Sequence, residues 1–164
     1  MIRTGIGYDI HPFADGRRLV LGGIEIAAER GLAGHSDADV VLHALADAVL
    51  GAAALGDIGH LFPPSDPSIA GIDSRIILRA AATQVREAGY EIANVDLTII
   101  AERPRIAPHI AGMQAVIAHE LGISSTGVSI KATTNERLGA IGREEGIAAM
   151  AIATIIERTF LERL

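Results

Sequence analysis

The segment 146–160 limits the possible folds of this chain more than any other, because both of its alternating sets of positions are apolar. In an extended chain, one set contains Ile147 and Ile155, and the other contains Met150 and Ile152. A strand that is apolar on both faces belongs in the centre of a sheet, since elsewhere one of its faces would lie in water. We therefore predict a central strand here; a terminal helix is the alternative that the same residues allow.

Hydrophobic periodicity and turn residues predict the rest of the fold. The predicted elements are strands over residues 2–11, 91–101 and 128–132, a hairpin over 19–26, and helices from Ser36 or Asp37 to about Gly56, from Ser74 to Gly89 and from near Pro108 to Gly122. The stretch between Gly56 and Asp73 repeats glycine and proline and is predicted to be a long loop. Together these elements form one α+β domain, residues 1–164, with a mixed four-stranded sheet, a short hairpin and helices on one face.

The other face of this sheet has no predicted cover. Three helices are enough to cover one face, and a single chain of 164 residues has nothing left for the second. An apolar sheet face of this size is buried in a soluble protein by another copy of the chain or by a partner. We therefore expect a homo-oligomer in which the sheets pack together.

The composition excludes several kinds of chemistry. The chain contains no cysteine, so it has neither a thiolate nucleophile nor a cysteine-based zinc site, and any metal must bind to His, Asp or Glu. Its 14 basic and 20 acidic residues give a net charge of −6 without a basic run, which disfavours binding to nucleic acid or to a membrane surface. No apolar run reaches the roughly 18 residues of a membrane span, and we expect a cytoplasmic protein.

Asp9 and His11 predict one side of a metal site. Residues two apart on a strand project from the same face with Cα atoms about 6.6 Å apart, so this carboxylate and this imidazole can share a metal ion. His43 is the best third ligand because it lies beside the apolar stripe of the first predicted helix. Three His and Asp ligands with an open fourth position are typical of a catalytic zinc site.

Four polar residues recur at helical spacing, namely Ser36, Asp39, His43 and Asp47. We interpret Asp39 and Asp47 as solvated surface residues and His43 as a ligand. His35 and Ser36 lie at the start of the predicted helix, where free N–H groups and the positive end of the helix dipole suit an anion. For His35, a loop histidine that satisfies a backbone group is an equal alternative.

A polar cluster follows the last short strand. The hydroxyls of Thr133 and Thr134 and the carboxylate of Glu136 lie close in sequence to Lys131. They can bind phosphate oxygens and, through Glu136, a hard divalent cation, or they can form a simple polar turn. Further on, Arg143 lies beside two glutamates, either as a surface ion pair or along the symmetry axis of an oligomer.

Four segments make the chain similar to a known family. They are RTGIGYDIHPF, GLAGHSDADVVLHALADAVLGAAALGDIGHLFP, NVDLTIIAERPRIAPHI and IKATTNERLGAIGREEGIA, and the match covers essentially the whole chain. With these segments the chain resembles the 2-C-methyl-D-erythritol 2,4-cyclodiphosphate synthases, which close a ring in the non-mevalonate pathway to isoprenoid precursors. The four segments together are far more specific than any single short motif.

This resemblance implies a metal-dependent phosphorus–oxygen lyase. The implied enzyme converts 4-diphosphocytidyl-2-C-methyl-D-erythritol 2-phosphate to 2-C-methyl-D-erythritol 2,4-cyclodiphosphate and CMP, by attack of the 2-phosphate on the β-phosphorus of the same molecule. The resemblance implies Zn²⁺ at Asp9, His11 and His43, and a second divalent cation, Mg²⁺ or Mn²⁺, bound through Glu136. It also implies a homotrimer with each site between neighbouring subunits.

The resemblance further implies which residues meet the substrate. His35 and Thr134 are implied to stabilise the transition state. The implied substrate-binding residues are Asp9, His11, His35, Ser36, Asp57, Ile58, Gly59, Phe62 to Asp66, Ala101, Pro104, Arg105, Ala107, Thr133, Thr134, Glu136 and Arg143. Among them, residues 57–59 and 62–66 are implied to contact the erythritol part, and residues 101–107 with Thr133 the cytidine and diphosphate.

Two other functions fit the same residues. One is a zinc hydrolase whose open coordination position activates water, with Asp57 or Glu136 as the general base. The other is a non-catalytic module that binds a nucleotide or an isoprenoid diphosphate around a structural metal, in which case loss of a ligand would unfold the chain.

Overall fold

The computed structural model describes residues 1–63 and 65–161 of the chain; residues 64 and 162–164 of the predicted domain lie outside the described residues. The strands are β1 (Ile2–Ala14), β2 (Leu19–Leu21), β3 (Ile24–Ile26), β4 (Gly31–Leu32), β5 (Tyr90–Ile100), β6 (Val128–Thr133) and β7 (Gly146–Glu157). The α-helices are α1 (Val40–Ala52), α2 (Ile58–Leu61), α3 (Ser74–Glu87), α4 (Ile110–Leu121), α5 (Gly139–Gly142) and α6 (Arg158–Leu161).

Five strands form one mixed sheet in the order β4-β1-β7-β5-β6, and β2 and β3 form a separate hairpin. β7 is antiparallel to both neighbours, β1 and β5, whereas β6 runs parallel to β5. The predicted α+β class, the hairpin and the central final strand are confirmed. The four long strands are the predicted ones. The fifth strand, β4, has two residues that pair with Phe13 and Ala14, and it is too short for periodicity to reveal.

The two faces of β7 differ in their exposure to solvent. Ile147 and Ile155 are fully buried on the side of α1, whereas Met150 and Ile152 on the opposite side are 43% and 48% exposed. Ile152 lies opposite Ile6 of β1, whose exposure is 65%. We call this second side, with Ile6, Tyr8, Met150 and Ile152, the outer face. It is the apolar, uncovered sheet face that the sequence predicts.

Two glycines of β1 allow α1 to lie directly on the sheet. A Cβ atom at Gly5 would lie 2.2 Å from the carbonyl oxygen of Ala48, and one at Gly7 would lie 1.8 Å from that of Ala44. No side chain fits into either gap, so the helix backbone packs against the strand backbone. This contact fixes α1 above β1 and brings the side chains of the two elements together.

The first two long helices do not begin where the sequence analysis predicts: α1 begins later, and the cap of α3 lies one residue earlier. α1 begins at Val40 and is capped by Asp39, because Ala38 has a positive φ of 60° that ends the preceding turn. The side chains of Ser36 and Asp37 instead accept hydrogen bonds within that turn. The cap of α3 is Asp73, not Ser74, which is the first helical residue and is fully buried. The two predicted caps are therefore wrong by one to three positions.

The third long helix agrees better with its prediction. α4 follows a short 3-10 turn over 107–109 and ends at Gly122, whose φ of 62° places it in the left-handed region. The predicted long loop between Gly56 and Asp73 contains α2 and a 3-10 turn over Pro67–Ile69. Among the described residues, no helix is both long enough and apolar enough to cross a membrane.

Candidate active site

Three predicted ligands meet at one point between β1 and α1. The Nε2 atom of His11 lies 2.9 Å from the Oδ2 atom of Asp9, and the Nδ1 atom of His43 lies 3.0 Å from the same oxygen. The two imidazole nitrogens are 3.3 Å apart. These ligand atoms form a group that can hold a metal ion, and we call it the metal centre. The structure brings these three residues together, as the spacing in the sequence predicts.

Hydrogen bonds to their remaining side-chain atoms orient two of the ligands, Asp9 and His11. The Oδ1 atom of Asp9 accepts a hydrogen bond from the backbone N–H of Ile10, which leaves Oδ2 facing the centre. The Nδ1 atom of His11 lies 2.6 Å from the carbonyl oxygen of Ala33. A carbonyl only accepts, so this nitrogen carries the proton and the Nε2 atom presents its lone pair to the centre. Such a contact fixes the ring orientation that a metal ligand needs.

The dimensions of the metal centre suit a small divalent cation. Bonds of about 2.0 to 2.1 Å in a tetrahedral zinc site place neighbouring ligand atoms about 3.3 Å apart. The three separations of 2.9, 3.0 and 3.3 Å lie close to that value. Two imidazoles and one carboxylate are also a donor set that zinc accepts with a fourth position left for substrate. The residues present therefore fit the predicted metal.

Charge at the centre shifts the pKa values of two ligands. Burial raises the pKa of Asp9, but hydrogen bonds from His11 and His43 outweigh it and hold that pKa well below its usual range. The hydrogen bond to Asp9 raises the pKa of His11, and burial opposes this shift. A proton on an imidazole nitrogen that faces Asp9 would take the position of a metal cation, so protons and metal compete for the centre.

The aspartates on the same side of α1 are not the solvated residues that the sequence analysis predicts. Asp39 is fully buried. Asp47 is half-buried and accepts a hydrogen bond of 2.8 Å from the backbone N–H of Ile58, and burial raises its pKa. This contact ties the start of α2 to the helix that carries His43. The solvated interpretation is wrong for Asp39, which the hairpin covers, and it holds only in part for Asp47, which residues 57–61 cover on one side.

Residues 57–62 form a short segment near this helix that is exposed at its polar residues and packs its apolar ones against the core. Asp57 is the N-cap of α2, and its Oδ1 atom lies 2.9 Å from the Nδ1 atom of His60. This hydrogen bond lowers the pKa of Asp57. His60 has no predicted role, and its spacing of three residues from Asp57 is the signal that reveals the pair. The predicted contact segment Phe62 to Asp66 includes residue 64, which lies outside the described residues.

His35 and Ser36 lie apart from the N-terminus of α1. His35 is exposed, and its carbonyl oxygen accepts a hydrogen bond from the N–H of Gly71. The buried side chain of Ser36 points to His43, with its Oγ atom 3.0 Å from the Nε2 atom of that ring. Because the helix begins only at Val40, the expected anion site at its first turn does not include these two residues.

A second group of predicted residues lines a cavity at the ends of β5 and β6. Its volume is about 880 Å³, and we call it the strand-end cavity. Its lining residues are Ala101, Glu102, Arg103, Pro104, Arg105, Ile106, Ala107, Ala132, Thr133, Thr134, Glu136, Arg137, Gly142 and Glu144. Two segments of its wall are joined by hydrogen bonds, because the Glu102 carboxylate accepts from the backbone N–H groups of Asn135 and Arg137.

Two predicted residues of this region lie elsewhere. Arg143 does not line the cavity; its Nε atom lies 2.6 Å from a carboxylate oxygen of Glu145 in an exposed ion pair. Lys131 forms an ion pair with Asp96 on the neighbouring strand β5, where its own register partner is Thr98. Thr133, Thr134 and Glu136 do line the cavity together, as the polar cluster suggests.

Within one chain, the metal centre and the strand-end cavity are separate. Asp9 lies opposite Ala149 of β7, Ala149 lies opposite Ile99 of β5, and Ile99 lies opposite Ala132 of β6. Three strand spacings therefore separate the two regions, which is about 14 Å. One chain brings the three metal ligands together but does not bring them to the predicted cytidine-binding residues.

A chain with this fold and this Asp–His–His centre falls into a defined class. The YgbB family model matches residues 2–156, and the chain belongs to that family. Its relatives bear the name 2-C-methyl-D-erythritol 2,4-cyclodiphosphate synthase. The relative from Cupriavidus metallidurans is 58% identical over 157 residues, which cover 96% of this chain and 94% of the relative. The resemblance read from the four sequence segments is confirmed.

Solved structures show the same fold. The bifunctional IspDF protein of Campylobacter jejuni superposes with a TM-score of 0.92 at 42% identity, over 97% of this chain and 44% of that longer one. IspF of Plasmodium falciparum, solved as a CDP complex, superposes with a TM-score of 0.83 at 35% identity, over 96% of this chain and 97% of the other. The second structure is of a protein with a bound cytidine nucleotide.

Proposed function

We propose that this chain closes the ring of 2-C-methyl-D-erythritol 2,4-cyclodiphosphate and releases CMP, as an enzyme of the non-mevalonate route to isoprenoid precursors. The observation that carries the proposal is the convergence of Asp9, His11 and His43 in a chain of this family. The substrate is 4-diphosphocytidyl-2-C-methyl-D-erythritol 2-phosphate. An oxygen of its 2-phosphate forms a bond to the β-phosphorus, the bond from that phosphorus to the CMP oxygen breaks, and CMP leaves with the electron pair.

The physical task is to bend a flexible polyanion back on itself. The attacking oxygen, the phosphorus and the leaving oxygen must come into line, and the phosphate groups that approach one another repel. Asp9, His11 and His43 would hold Zn²⁺, which when bound supplies positive charge that screens this repulsion and fixes phosphate oxygens. The protein's own residues position the rest of the substrate, so that the reaction needs no outside nucleophile.

The strand-end cavity is the proposed binding site of the cytidine diphosphate part. The Plasmodium falciparum relative was solved with CDP, and this chain offers a cavity lined by Ala101, Pro104, Arg105, Ala107 and Thr133. Its backbone groups would read the cytosine ring, and Arg105 would face the diphosphate. Glu136 would hold a second cation, Mg²⁺ or Mn²⁺, that neutralises charge on the departing CMP.

Residues near the metal centre and residues of the strand-end cavity would both contact the reacting phosphates. We assign His35 and Thr134 as hydrogen-bond donors to the charge that develops in the transition state. His35 is exposed beside the turn that carries Ser36, and Thr134 lines the strand-end cavity. Residues 57–59 and Phe62 to Asp66 would contact the erythritol part. Residue 64 of that segment lies outside the described residues.

The separation of the two regions supports a homotrimer in which neighbouring chains complete each site. One chain's metal centre and the next chain's strand-end cavity would together enclose a single substrate. The apolar outer face gives the surface through which the sheets pack against one another. In this arrangement the substrate bridges two subunits, and an isolated chain has no complete site.

Phosphorus NMR tests the proposed reaction directly. We expect the protein, incubated with the linear nucleotide and with Zn²⁺ and Mg²⁺, to give a cyclic diphosphate and CMP in equal amounts. A zinc hydrolase would instead give open-chain phosphates, because water would be the attacking group. Open-chain products, or no turnover with both metals present, would contradict the proposal.

The variant His43→Ala separates a catalytic centre from a structural one. We expect it to lose activity while its circular dichroism spectrum remains that of the wild type, because packing of apolar residues holds α1 in the core. A module with a structural metal would unfold on losing a ligand. Unfolding of His43→Ala would therefore favour the non-catalytic alternative.

A further inference from the structure

We propose that Ser74 and Asp37 are positioning residues that set the proton on His43, so that the nitrogen facing the metal centre is free to bind a cation. This inference rests on the proposed metal centre and concerns residues that hold one of its ligands. Neither residue touches the ligand atoms of Asp9 or His11. Both act through the far side of the His43 ring.

The far side of His43 meets two hydroxyl groups. Its Nε2 atom lies 2.9 Å from the Oγ atom of Ser74 and 3.0 Å from the Oγ atom of Ser36. His43 and Ser36 are nearly buried and Ser74 is completely buried, so water does not compete for these contacts. The Nδ1 atom of the same ring faces Asp9 at 3.0 Å. The ring therefore spans the distance between a buried hydroxyl pair and the metal centre.

The hydroxyl of Ser74 decides the tautomer of His43. A hydroxyl group has one proton, and that of Ser74 is donated to the Oδ1 atom of Asp37, because an ionised carboxylate only accepts. The Oγ atom of Ser74 must then accept a hydrogen bond from His43, which places the imidazole proton on Nε2. The Nδ1 atom is left with its lone pair directed at the metal centre. The Ser36 hydroxyl can donate to the Nε2 atom or accept from it, so Ser36 is compatible with either tautomer and does not select one.

Asp37 is itself fixed by the two helices that it joins. Its Oδ2 atom accepts a hydrogen bond from the backbone N–H of Ser74, the first residue of α3. Its Oδ1 atom also accepts one from the N–H of Asp39, the cap of α1. The Asp37 backbone N–H binds the carbonyl oxygen of Ile72. The carboxylate cannot turn away from Ser74 without breaking contacts to both helix starts.

The assigned tautomers explain why the metal centre needs a cation. With protons on the Nδ1 atom of His11 and the Nε2 atom of His43, three lone pairs converge within 2.9 to 3.3 Å. No proton lies between them in that state, and they repel one another unless a cation occupies the centre. The Asp37–Ser74–His43 chain thus directs the site towards metal and away from an internal hydrogen bond to Asp9.

Removal of the Ser74 hydroxyl tests the assignment. We expect Ser74→Ala to weaken zinc affinity, measured by competition with a chromophoric chelator, by about tenfold or more, as is usual when a group behind a metal ligand is lost. Asp37→Asn should act in the same direction, because its amide can donate to the Ser74 oxygen and so turn the hydroxyl proton towards His43. The matched control is Asp73→Ala, which weakens the start of the same helix and should leave zinc affinity within about twofold of the wild type.

A spectroscopic measurement on the wild type needs no variant. In the metal-free protein labelled with ¹⁵N-histidine, at alkaline pH, long-range ¹H–¹⁵N NMR should show His43 with its proton on Nε2. The opposite tautomer, or a Ser74→Ala protein that binds zinc as tightly as the wild type, would overturn the assignment. Failure of the wild type itself to bind zinc would overturn the metal centre, which is a different and distinguishable result.

Discussion

At the scale of single residues, the buried Asp39 stabilises two elements of the fold, although its place in a polar strip suggests a surface residue. Its Oδ1 atom accepts hydrogen bonds from the N–H groups of Gly22, Val41 and Leu42, and its Oδ2 atom accepts one of 2.6 Å from Gly23. One carboxylate thus caps α1 and holds the turn of the β2–β3 hairpin. Four backbone donors depend on it, and all would lose this partner without it.

We predict that Asp39→Ala destabilises the protein by about 3 kcal/mol or more. A buried donor without a partner costs about 1 to 3 kcal/mol, and the sum over four donors is reduced because some of them would bind water instead. Urea unfolding followed by circular dichroism measures the loss. Glu25→Ala, which removes an exposed ion pair with Arg18, serves as the control and should change stability by less than about 1 kcal/mol. Equal stabilities of the two variants would contradict the assigned role of Asp39.

The metal ligands could be predicted from the sequence, and the residues behind them could not. Asp9 and His11 are two apart on a strand, and His43 lies on a periodic helix, so regular backbone geometry determines where their side chains point. Ser74 contacts His43, and Asp37 contacts Ser74 from an irregular turn before α1 that contains Ala38 at a positive φ of 60°. Hydrophobic periodicity carries no information about such an irregular turn.

At the scale of secondary-structure elements, the contact of α1 with β1 positions the metal centre. Gly7 lies two residues before Asp9, and Ala44 directly follows His43. The close approach of the strand to the helix at this point brings the ligands from the two elements within bonding distance of one cation. A larger residue at Gly7 would force the helix away from the strand.

We predict that Gly7→Ala destabilises the protein by about 3 kcal/mol, at the upper end of the cost of overpacking, and weakens zinc binding as His43 moves away from Asp9. Gly51→Ala is the matched control in the same helix. A Cβ atom at Gly51 meets nothing within 4 Å, and alanine favours the helix by about 0.5 to 1 kcal/mol. Thermal unfolding and chelator competition distinguish the two variants. A Gly7→Ala protein with unchanged Tm and zinc affinity would contradict this packing.

The start of α3 gives a prediction about pH. A hydrogen bond from the Arg75 side chain lowers the pKa of Asp73, the cap of this helix. A carboxylate with a lowered folded pKa stabilises the protein above its unfolded pKa, which is 3.8, and this contribution is lost as the pH falls through the folded value. The wild type should therefore exceed Asp73→Asn in stability by about 0.5 kcal/mol at neutral pH.

That difference should shrink as the pH falls from about 4 through the lowered folded pKa of Asp73, because Asp73 then becomes protonated and both side chains are uncharged. Measurement of Tm for both proteins between neutral and acidic pH tests this expectation. Asn can still accept the cap hydrogen bond, so the comparison isolates the charge. A difference that stays constant over the whole range would show that the charge of Asp73 does not stabilise the helix.

The elements themselves were predictable to different degrees. The long strands and helices follow from periodicity, and the final strand follows from its two apolar faces. The helix starts were displaced because several capping residues, Ser36, Asp37 and Asp39, occur close together, and only the observed turn selects among them. β4 depends entirely on its partner strand, so nothing within its two residues could indicate it.

At the scale of the whole molecule, the outer face and the divided site point to the same assembly. The exposed Ile6 and Ile152 need a cover, and the metal centre needs a cavity that its own chain holds about 14 Å away. The proposed ring of three identical chains would supply both at once, since each chain would offer one half of a site to each neighbour. The sequence predicts the uncovered face, but the number of copies came from the resemblance alone.

We predict that Ile6→Asp dissociates the oligomer and abolishes ring closure, because three carboxylates would be buried in the sheet-to-sheet contact. Sedimentation velocity measures the assembly. Ile76→Asp is the control, since Ile76 is 47% exposed on α3, away from the outer face, and its replacement should leave both the oligomer and the activity intact. An Ile6→Asp protein that sediments as the wild type would contradict the proposed interface.

The most direct test of the central claim is a complementation experiment between two damaged chains. His43→Ala removes the metal centre, and Glu136→Ala damages the strand-end cavity, so each protein alone should be inactive in the phosphorus NMR assay. When the two are unfolded, mixed in equal amounts and refolded, random assembly should restore about one quarter of the wild-type activity, because one site in four combines two intact halves from neighbouring chains. A mixture that remains as inactive as its components would contradict a site shared between subunits.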